Sequence, residues 1–192
     1  MKSLFIDKKF PYDGTQLHSL FAYLEHQILG DSIVAWQGAC DISFAHMVDG
    51  EDLNAKSEIR GGDMLHFIIE KFDMKLNGAV YMQRLLAAHA FDLVREKLAS
   101  SGRLEDTTKL KREGDDIYFA DAKLSISIAT VSPVSALVHF AVNVNNENTP
   151  VKTVSLSDFK IDPKSFASEL LKRFTIEAST AEEASMKVKW VK

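Results

Sequence analysis

The spacing of apolar residues predicts a chain that alternates helices and strands in its first half. Leu17, Leu24 and Ile28 recur at helical spacing, and the β-rich run at 32–37 is bounded by turn residues. The segment 64–72 fits either a strand or a helix, and we favour a strand. The elements predicted for this half are a strand at 3–6, a helix at 15–28, strands at 32–37 and 41–47, an acidic loop with a helical turn at 49–58, a strand at 64–72 and a helix at 79–99.

The second half changes to short segments of strand periodicity. Four successive strands are predicted at 107–112, 116–119, 122–131 and 136–145, with turn residues between them. A helix follows at 163–174, with Pro163 at its favoured first position, and the alternating run 186–191 predicts a final strand. Because the helices are segregated from the antiparallel strands, the pattern predicts an α+β fold with a mainly antiparallel twisted sheet and flanking helices.

The hairpin of 122–131 and 136–145 carries an unusual set of polar side chains. Successive side chains of a strand point to opposite faces, so an aliphatic face led by Ile126 and Phe140 is expected in the core. The opposite face is expected to hold small and polar residues, namely Lys123, Ser125, Ser127, Ala129, His139, Ala141, Asn143 and Asn145. Small residues are poor strand formers at solvent-facing positions, which favours a ligand cleft over this face. Exposure to solvent and packing against another protein element are the alternatives.

Length, charge and cysteine content narrow the class of protein. The 192 residues favour a single domain, 1–192, and the net charge of -4 with scattered basic residues disfavours duplex nucleic acid as a partner. No apolar run approaches the roughly 18 residues of a membrane span, and the single cysteine is typical of a reducing compartment. We therefore expect a cytoplasmic protein that binds a small molecule and no membrane; a homodimer stays open.

Part of the chain resembles biotin and lipoate protein ligases and octanoyltransferases. The resemblance lies in Asp116-Ile117-Tyr118, Lys123-Leu124-Ser125 and the strand that ends in Asn143-Val144-Asn145. A weaker one relates Arg60-Gly61-Gly62 to the arginine- and glycine-rich segment of lipoate ligases. Ile126 stands where the ligases have a glycine, and the Gly-Arg-Gly-Arg loop of biotin ligases is absent.

The whole chain resembles the prokaryotic domain-of-unknown-function family 366. The segments that carry this resemblance are ILGDSIVAWQGAC, MVDGEDL, GDDIYFADAKLSISIATVSPVS and MKVKWV. The family is grouped by fold with biotin and lipoate ligases and with class II aminoacyl-tRNA synthetases. The resemblance implies the catalytic fold of those enzymes and a cleft for an acyl or carboxylate group. ATP with magnesium is implied by the resemblance alone, and the cofactor is otherwise unknown.

The candidate site residues follow from the polar face of the hairpin and from the resemblance to the ligases. In the resembled ligases the lysine that matches Lys123 contacts the phosphate or the reacting carbonyl, where its charge offsets developing negative charge. Lys123 is therefore the candidate catalytic residue, with a solvated strand end as the alternative. The candidate residues for binding substrate or nucleotide are Arg60, Gly61, Gly62, Ser125, Ser127, His139 and Asn143. For His139 we favour a structural role within that set.

Other reactive residues give weaker signals. Octanoyltransferases use a cysteine nucleophile, but Cys40 does not match its position and reads as a small buried hydrophobe. The acidic residues near Asp49 have no metal-loop spacing, and we predict no metal site. Two functions stay open, an acyl or carboxylate ligase or transferase acting with a nucleotide, and a non-catalytic module that binds a small molecule or nucleotide. An interaction surface is a third.

Overall fold

The protein folds around a mixed sheet whose strands are mostly antiparallel. The computed structural model describes residues 1–191. The strands are β1 (Lys2–Ile6), β2 (Ser32–Ile42), β3 (Ile59–Phe72), β4 (Leu110–Glu113), β5 (Asp116–Phe119), β6 (Ala122–Lys123), β7 (Ser125–Val131) and β8 (Ser135–Asn143). The helices are α1 (Phe21–His26), α2 (Gly50–Ala55), α3 (Leu76–Ser100) and α4 (Pro163–Met186), with a 3-10 turn at Leu104–Lys109. The large sheet has the order β1-β2-β3-β8-β7, and β4-β5-β6 form a small second sheet.

The strand pairing confirms the predicted α+β class. Only the β1–β2 pair of the large sheet is parallel, and its other three pairs are antiparallel. The helices α3 and α4 pack on one face, where alternate side chains of the central strands form the main core. Phe67, Phe140 and Phe166 are fully buried in that core. Asp162 caps α4 by accepting a hydrogen bond from the Ser165 amide at 2.7 Å, ahead of Pro163 at the start of the helix.

The predicted helix over 15–28 is wrong for most of its length. Only Phe21–His26 is helical, and residues 14–20 form turns. Leu20 has a φ of 67°, in the left-handed region, and its amide donates to both carboxylate oxygens of the buried Glu70 at 2.9 and 3.0 Å. A tertiary hydrogen bond therefore overrides the helical periodicity of this segment.

Two further predicted strands are wrong and a third begins later than predicted. The segment 41–47 is not a separate strand, because β2 continues to Ile42 and turns follow. Residues 104–109 form a 3-10 turn, so that strand begins only at Leu110. The run 186–191 is not a strand, because α4 continues to Met186 and the following apolar side chains, including Trp190, are exposed. No glycine or proline interrupts 164–186, and α4 therefore extends well beyond the predicted end at residue 174.

The amino-terminal segment crosses the edge of β2 at a glycine. The Phe10 amide donates to the Gln37 carbonyl, and the Tyr12 amide donates to the Ala39 carbonyl at 2.8 Å. A Cβ atom on Gly38 would lie 1.8 Å from the Phe10 carbonyl oxygen, so only glycine leaves room for the crossing. The pairing of β2 with β3 shifts register directly after Gly38. This crossing places Tyr12 over the face of the sheet that α3 and α4 leave uncovered.

The close approach of Phe10 predicts that a methyl group at Gly38 lowers the free energy of unfolding. Forcing a side chain into a packed site costs about 1–3 kcal/mol, which lowers the melting midpoint of a domain of this size by about 2–12 °C. We expect Gly38→Ala to show that loss in a calorimetric or thermal-shift melt. Gly50→Ala is the matched control, since nothing lies within 4 Å of its added Cβ atom. A Gly38→Ala protein with the same melting midpoint as the wild type would contradict the close crossing.

Candidate functional site

A cleft of about 520 Å³ opens on the face of the large sheet opposite α3 and α4. Its volume falls in the range typical of small-molecule sites, about 300–1,000 Å³. Its floor includes side chains of β3, β7 and β8 and the ring of Tyr12, and its walls come from the segment around α2, from β5 and from the loop 149–153. The lining residues that carry the argument are Tyr12, Arg60, Met64, Lys123, Ile126 and His139.

The register of the hairpin reverses the predicted faces of its first strand, β7, and agrees with those predicted for its second strand, β8. Ser125 pairs with Val142 and Ser127 with Phe140, so these serines share the face covered by α3. Ile126 pairs with Ala141 on the cleft face, and the predicted placement of Ser125 and Ile126 is therefore wrong.

Ser125 and Ile126 lie on the opposite faces from those predicted because the strand is interrupted at Leu124. The chain leaves the small sheet after Lys123 and enters the large sheet at Ser125, so 122–131 is two strands and not one. Alternation is broken between them, and Lys123 lines the cleft although Ser125 does not. The face shared by both strands on the cleft side includes Ile126, Ile128, His139 and Ala141.

The two candidate serines bond within the protein. The Ser125 hydroxyl is fully buried and accepts a hydrogen bond from the Ile117 amide at 2.9 Å. The Ser127 hydroxyl donates to an Asp115 carboxylate oxygen at 2.6 Å and accepts from Gln83 of α3 at 2.9 Å. Ser127 borders the cleft, whereas Ser125 links β5 to β7 through its hydrogen bond with Ile117.

Lys123 lies in the cleft as one half of an ion pair. Its ammonium group is 2.9 Å from an Asp116 carboxylate oxygen, and both side chains are a little under one third exposed. The backbone of Lys123 pairs with the segment 152–154 through hydrogen bonds of 3.0 and 3.1 Å. The side-chain amide of Asn143 donates to the Lys123 and Val154 carbonyl oxygens, so Asn143 positions Lys123 in the cleft wall.

Arg60 lines the same cleft, and the glycines that follow it do not. The Arg60 guanidinium is half exposed and lies 2.6 Å from a Glu58 carboxylate oxygen. The Gly62 amide donates to the Glu147 carbonyl at 2.7 Å. A Cβ atom on Gly61 or Gly62 would lie within 3 Å of the Met64 or Glu147 side chain. The glycine pair therefore serves the packing of the neighbouring loop.

Two buried histidines form a hydrogen-bonded chain under the cleft. The Nε2 atom of His66 is 3.1 Å from the Gly38 carbonyl oxygen, and its Nδ1 atom is 3.1 Å from Nε2 of His139. Burial lowers the pKa of His66 to about 4 and holds that of His139 well below its ordinary value. Both imidazoles are therefore neutral near pH 7. The Tyr12 ring stacks on His139 with centroids 3.7 Å apart.

Sequence reasoning missed Tyr12 and His66. Tyr12 stands in Pro11-Tyr12-Asp13-Gly14, which has the composition of a turn, and its position over the sheet depends on the crossing at Gly38. His66 is a polar residue in the middle of an apolar strand, which is the signal that could have marked it. His139 was included, and its neutral buried pairing agrees with a structural component to its role.

Cys40 is buried outside the cleft lining, on β2. Burial raises the pKa of its thiol to about 12, with a further contribution from Asp41. A thiol in that environment carries little thiolate at neutral pH, and thiolate is the nucleophilic form. The position supports the interpretation of Cys40 as a packing residue.

Comparison with known proteins places the chain in a family. The family model "Domain of unknown function (DUF366)" matches residues 1–189. The chain belongs to the DUF366 family. It is 32% identical over 167 residues to "Uncharacterized protein MJ0805" of Methanocaldococcus jannaschii, with 84% of this chain and 72% of that protein covered. A Pyrococcus horikoshi structure titled "Protein of Unknown Function" is 38% identical, with 99% and 98% coverage and a TM-score of 0.87.

This DUF366 chain also shares its fold with biotin protein ligases. The Aquifex aeolicus enzyme in complex with biotin and ATP is 15% identical, with 95% of this chain and 72% of that chain covered and a TM-score of 0.57. The Leishmania major enzyme in complex with biotin gives 10% identity, coverage of 90% and 72%, and a TM-score of 0.56. These likenesses confirm the predicted similarity to the biotin protein ligase fold. In residues 1–191, no helix combines the length and the apolar character needed to cross a membrane.

The histidine pair predicts that acid destabilises the protein before its carboxylates titrate. An unfolded histidine titrates near 6.5, whereas the folded pKa of both rings is depressed. The unfolded chain therefore binds more protons below about pH 6.5, and the free energy of unfolding falls as the pH drops from about 7 to about 5. We expect the melting midpoint to fall over that window.

Variants separate this effect from general acid sensitivity. A His66→Phe/His139→Phe double variant should lose much of the pH dependence, while His18→Ala, at an exposed position, should keep it. The measurement is the melting midpoint of the three proteins across the window. An unchanged pH dependence in the double variant would mean that the buried rings already bind protons in the folded state.

Proposed function

We propose that this DUF366 protein binds a small molecule with a carboxylate or acyl head group in the cleft and acts on that group as a ligase or acyltransferase. The observation that carries the proposal is that Lys123 and Arg60, distant in sequence, line one cleft. The fold shared with biotin protein ligases, one of which is described in complex with biotin and ATP, supports the same class of ligand.

Lys123 is suited to hold the head group. An ammonium group has three N–H donors, so Lys123 can keep its contact with Asp116 and still donate to a ligand carboxylate or carbonyl. The ion pair is partly shielded from solvent, which strengthens a charge-assisted hydrogen bond at that point. The apolar side chains of Met64 and Ile126 supply contact area for the body of the ligand.

The donor set fits a free triphosphate poorly. Two permanent cations line the cleft, Arg60 and Lys123, and each is already paired with a carboxylate. The carboxylates that line it are more numerous, namely Asp49, Glu51, Asp52, Glu58, Asp115 and Asp116. The described part of the chain also holds no cluster of three or more metal-binding side chains. The proposed role of Lys123 therefore concerns the acyl or carboxylate group, and nucleotide dependence is an outcome of the test.

A binding module without chemistry is the second candidate, and one observation favours it. The protein's single cysteine lies outside the cleft lining and its thiol is held protonated. A covalent thioester intermediate therefore has no nucleophile at the site. Binding without turnover of any activated acyl donor would support this second function.

The Lys123 ammonium predicts which variant loses ligand binding. A ligand at 100 times its dissociation constant stabilises the fold by about 2.7 kcal/mol, which raises the midpoint of a domain of this size by roughly 5–10 °C. We expect at least one of octanoate, lipoate and biotin, tested with and without ATP and magnesium, to give such a shift. Lys123→Ala should lose most of it, because a hydrogen bond to a charged group contributes about 1.5–3 kcal/mol.

Lys152→Ala is the matched control, since Lys152 forms an exposed ion pair with Asp121. It should keep the full ligand-induced shift. The midpoint of Lys123→Ala without ligand should stay close to that of the wild type, because a partly exposed ion pair contributes little. Equal ligand shifts in Lys123→Ala and the wild type would remove Lys123 from the site, and the absence of any shift would count against a carboxylate ligand.

A further inference from the structure

The floor of the cleft contains two polar atoms that make no hydrogen bond among residues 1–191, the Tyr12 hydroxyl and Nδ1 of His139. Tyr12 and His139 both line the cleft, and each side chain is about 99% buried, with 1% of its surface exposed. No hydrogen bond among residues 1–191 uses the Tyr12 hydroxyl. The only partner of the His139 ring in this range is His66, which contacts its Nε2 atom. Among residues 1–191, the fully buried side-chain atoms without a partner are in His26, Ser32 and His89. The Tyr12 hydroxyl and Nδ1 of His139 are not among them, so the small exposed part of each residue leaves these atoms open to a ligand in the cleft.

The tautomer of His139 follows from the chain of hydrogen bonds beneath it. The Gly38 carbonyl oxygen can only accept, so Nε2 of His66 carries the proton of that neutral ring. Nδ1 of His66 is therefore a lone pair, and it must accept from Nε2–H of His139. The remaining nitrogen of His139, Nδ1, is then an unprotonated acceptor. The Gly38 carbonyl thus determines, through the rings of His66 and His139, that Nδ1 of His139 is a hydrogen-bond acceptor.

The Tyr12 hydroxyl is held beside this acceptor as a neutral group. Burial raises the pKa of Tyr12 above its ordinary value, with further contributions from Cys40 and Asp13. The hydroxyl therefore keeps its proton and can donate to a ligand. The Tyr12 ring stacks on the His139 ring, with centroids 3.7 Å apart and planes 13° apart, so both groups belong to the same part of the cleft floor.

We propose that Tyr12 and His139 form a subsite for an amide-type group, in which a ligand N–H donates to Nδ1 of His139 and the adjacent carbonyl accepts from the Tyr12 hydroxyl. Lactams, ureides and the edge of a nucleobase share this chemistry. The inference rests on the proposed ligand cleft and adds the recognition of a second part of the ligand. A purely aliphatic acyl chain would leave both buried groups without partners and is selected against.

The test uses fragments that match the subsite and carry no carboxylate. The probes are 2-pyrrolidinone, which has the N–H and the carbonyl, and cyclopentanone, which has the same ring with CH₂ in place of N–H. Binding at millimolar concentration is followed by ligand-observed NMR titration. We expect 2-pyrrolidinone to bind at least about threefold to tenfold more tightly than cyclopentanone, which is the fold-change expected for one net hydrogen bond. A uracil arm separates a nucleobase edge from a lactam, and tighter binding of either supports the amide-type class.

Two variants test this subsite, and a comparison with the carboxylate probes separates it from the role of Lys123. Tyr12→Phe keeps the stacked ring and should weaken 2-pyrrolidinone binding by about threefold to tenfold, through loss of one hydroxyl. Lys152→Ala, which removes an exposed ion pair outside the cleft lining, should bind 2-pyrrolidinone as the wild type does. If carboxylates fail to bind while 2-pyrrolidinone binds, the proposed function fails and the subsite stands. Equal affinities for the two ring fragments, no effect of Tyr12→Phe, or no binding of 2-pyrrolidinone and uracil would overturn the subsite.

Discussion

The cleft depends on the absence of a side chain at Gly38. The Phe10 carbonyl approaches β2 so closely at that point that a methyl group would overlap it. The same residue presents its carbonyl oxygen to the buried His66. One backbone position therefore sets both the path of the segment that carries Tyr12 and the hydrogen-bond chain below His139. Packing and site chemistry are coupled there, since displacing the crossing segment would remove the ring stacked on His139 and alter the acceptor of His66.

The two faces of the large sheet have different roles. The face under α3 and α4 is a mainly apolar core, and the serines that β7 contributes to it, Ser125 and Ser127, are hydrogen-bonded within the protein. The opposite face holds polar residues in its buried part, including His66, Glu70 and His139, and each of these is hydrogen-bonded. Such a face carries stability costs that an apolar face avoids, which is the pattern expected where recognition of a ligand competes with stability. Lys123 and Arg60 line the cleft on this face.

The sequence predicts the fold further than the site. The helix α3 follows from its local pattern, because its buried residues recur at helical spacing. The apolar runs at 32–37 and 64–72 predict the buried parts of β2 and β3, which extend beyond those bounds. The helix expected at 15–28 fails because Glu70, far away in sequence, binds the Leu20 amide. The cleft face was assigned to the wrong residues of β7 because a break at Leu124 shifts the alternation by one residue. The polar face of the hairpin and the resemblance to ligases both predict Lys123 in the cleft. The sequence does not predict Tyr12 there, because its position depends on the crossing at Gly38.

The tautomers of His66 and His139 test the central claim, that a backbone carbonyl prepares an acceptor in the cleft. Nitrogen-15 NMR of the imidazole rings of the wild-type protein near pH 7 distinguishes protonated from unprotonated ring nitrogens. We expect two neutral rings that both carry the proton on Nε2, with Nδ1 of His139 unprotonated. A proton on Nδ1 of His139, or a cationic ring at either position, would contradict it.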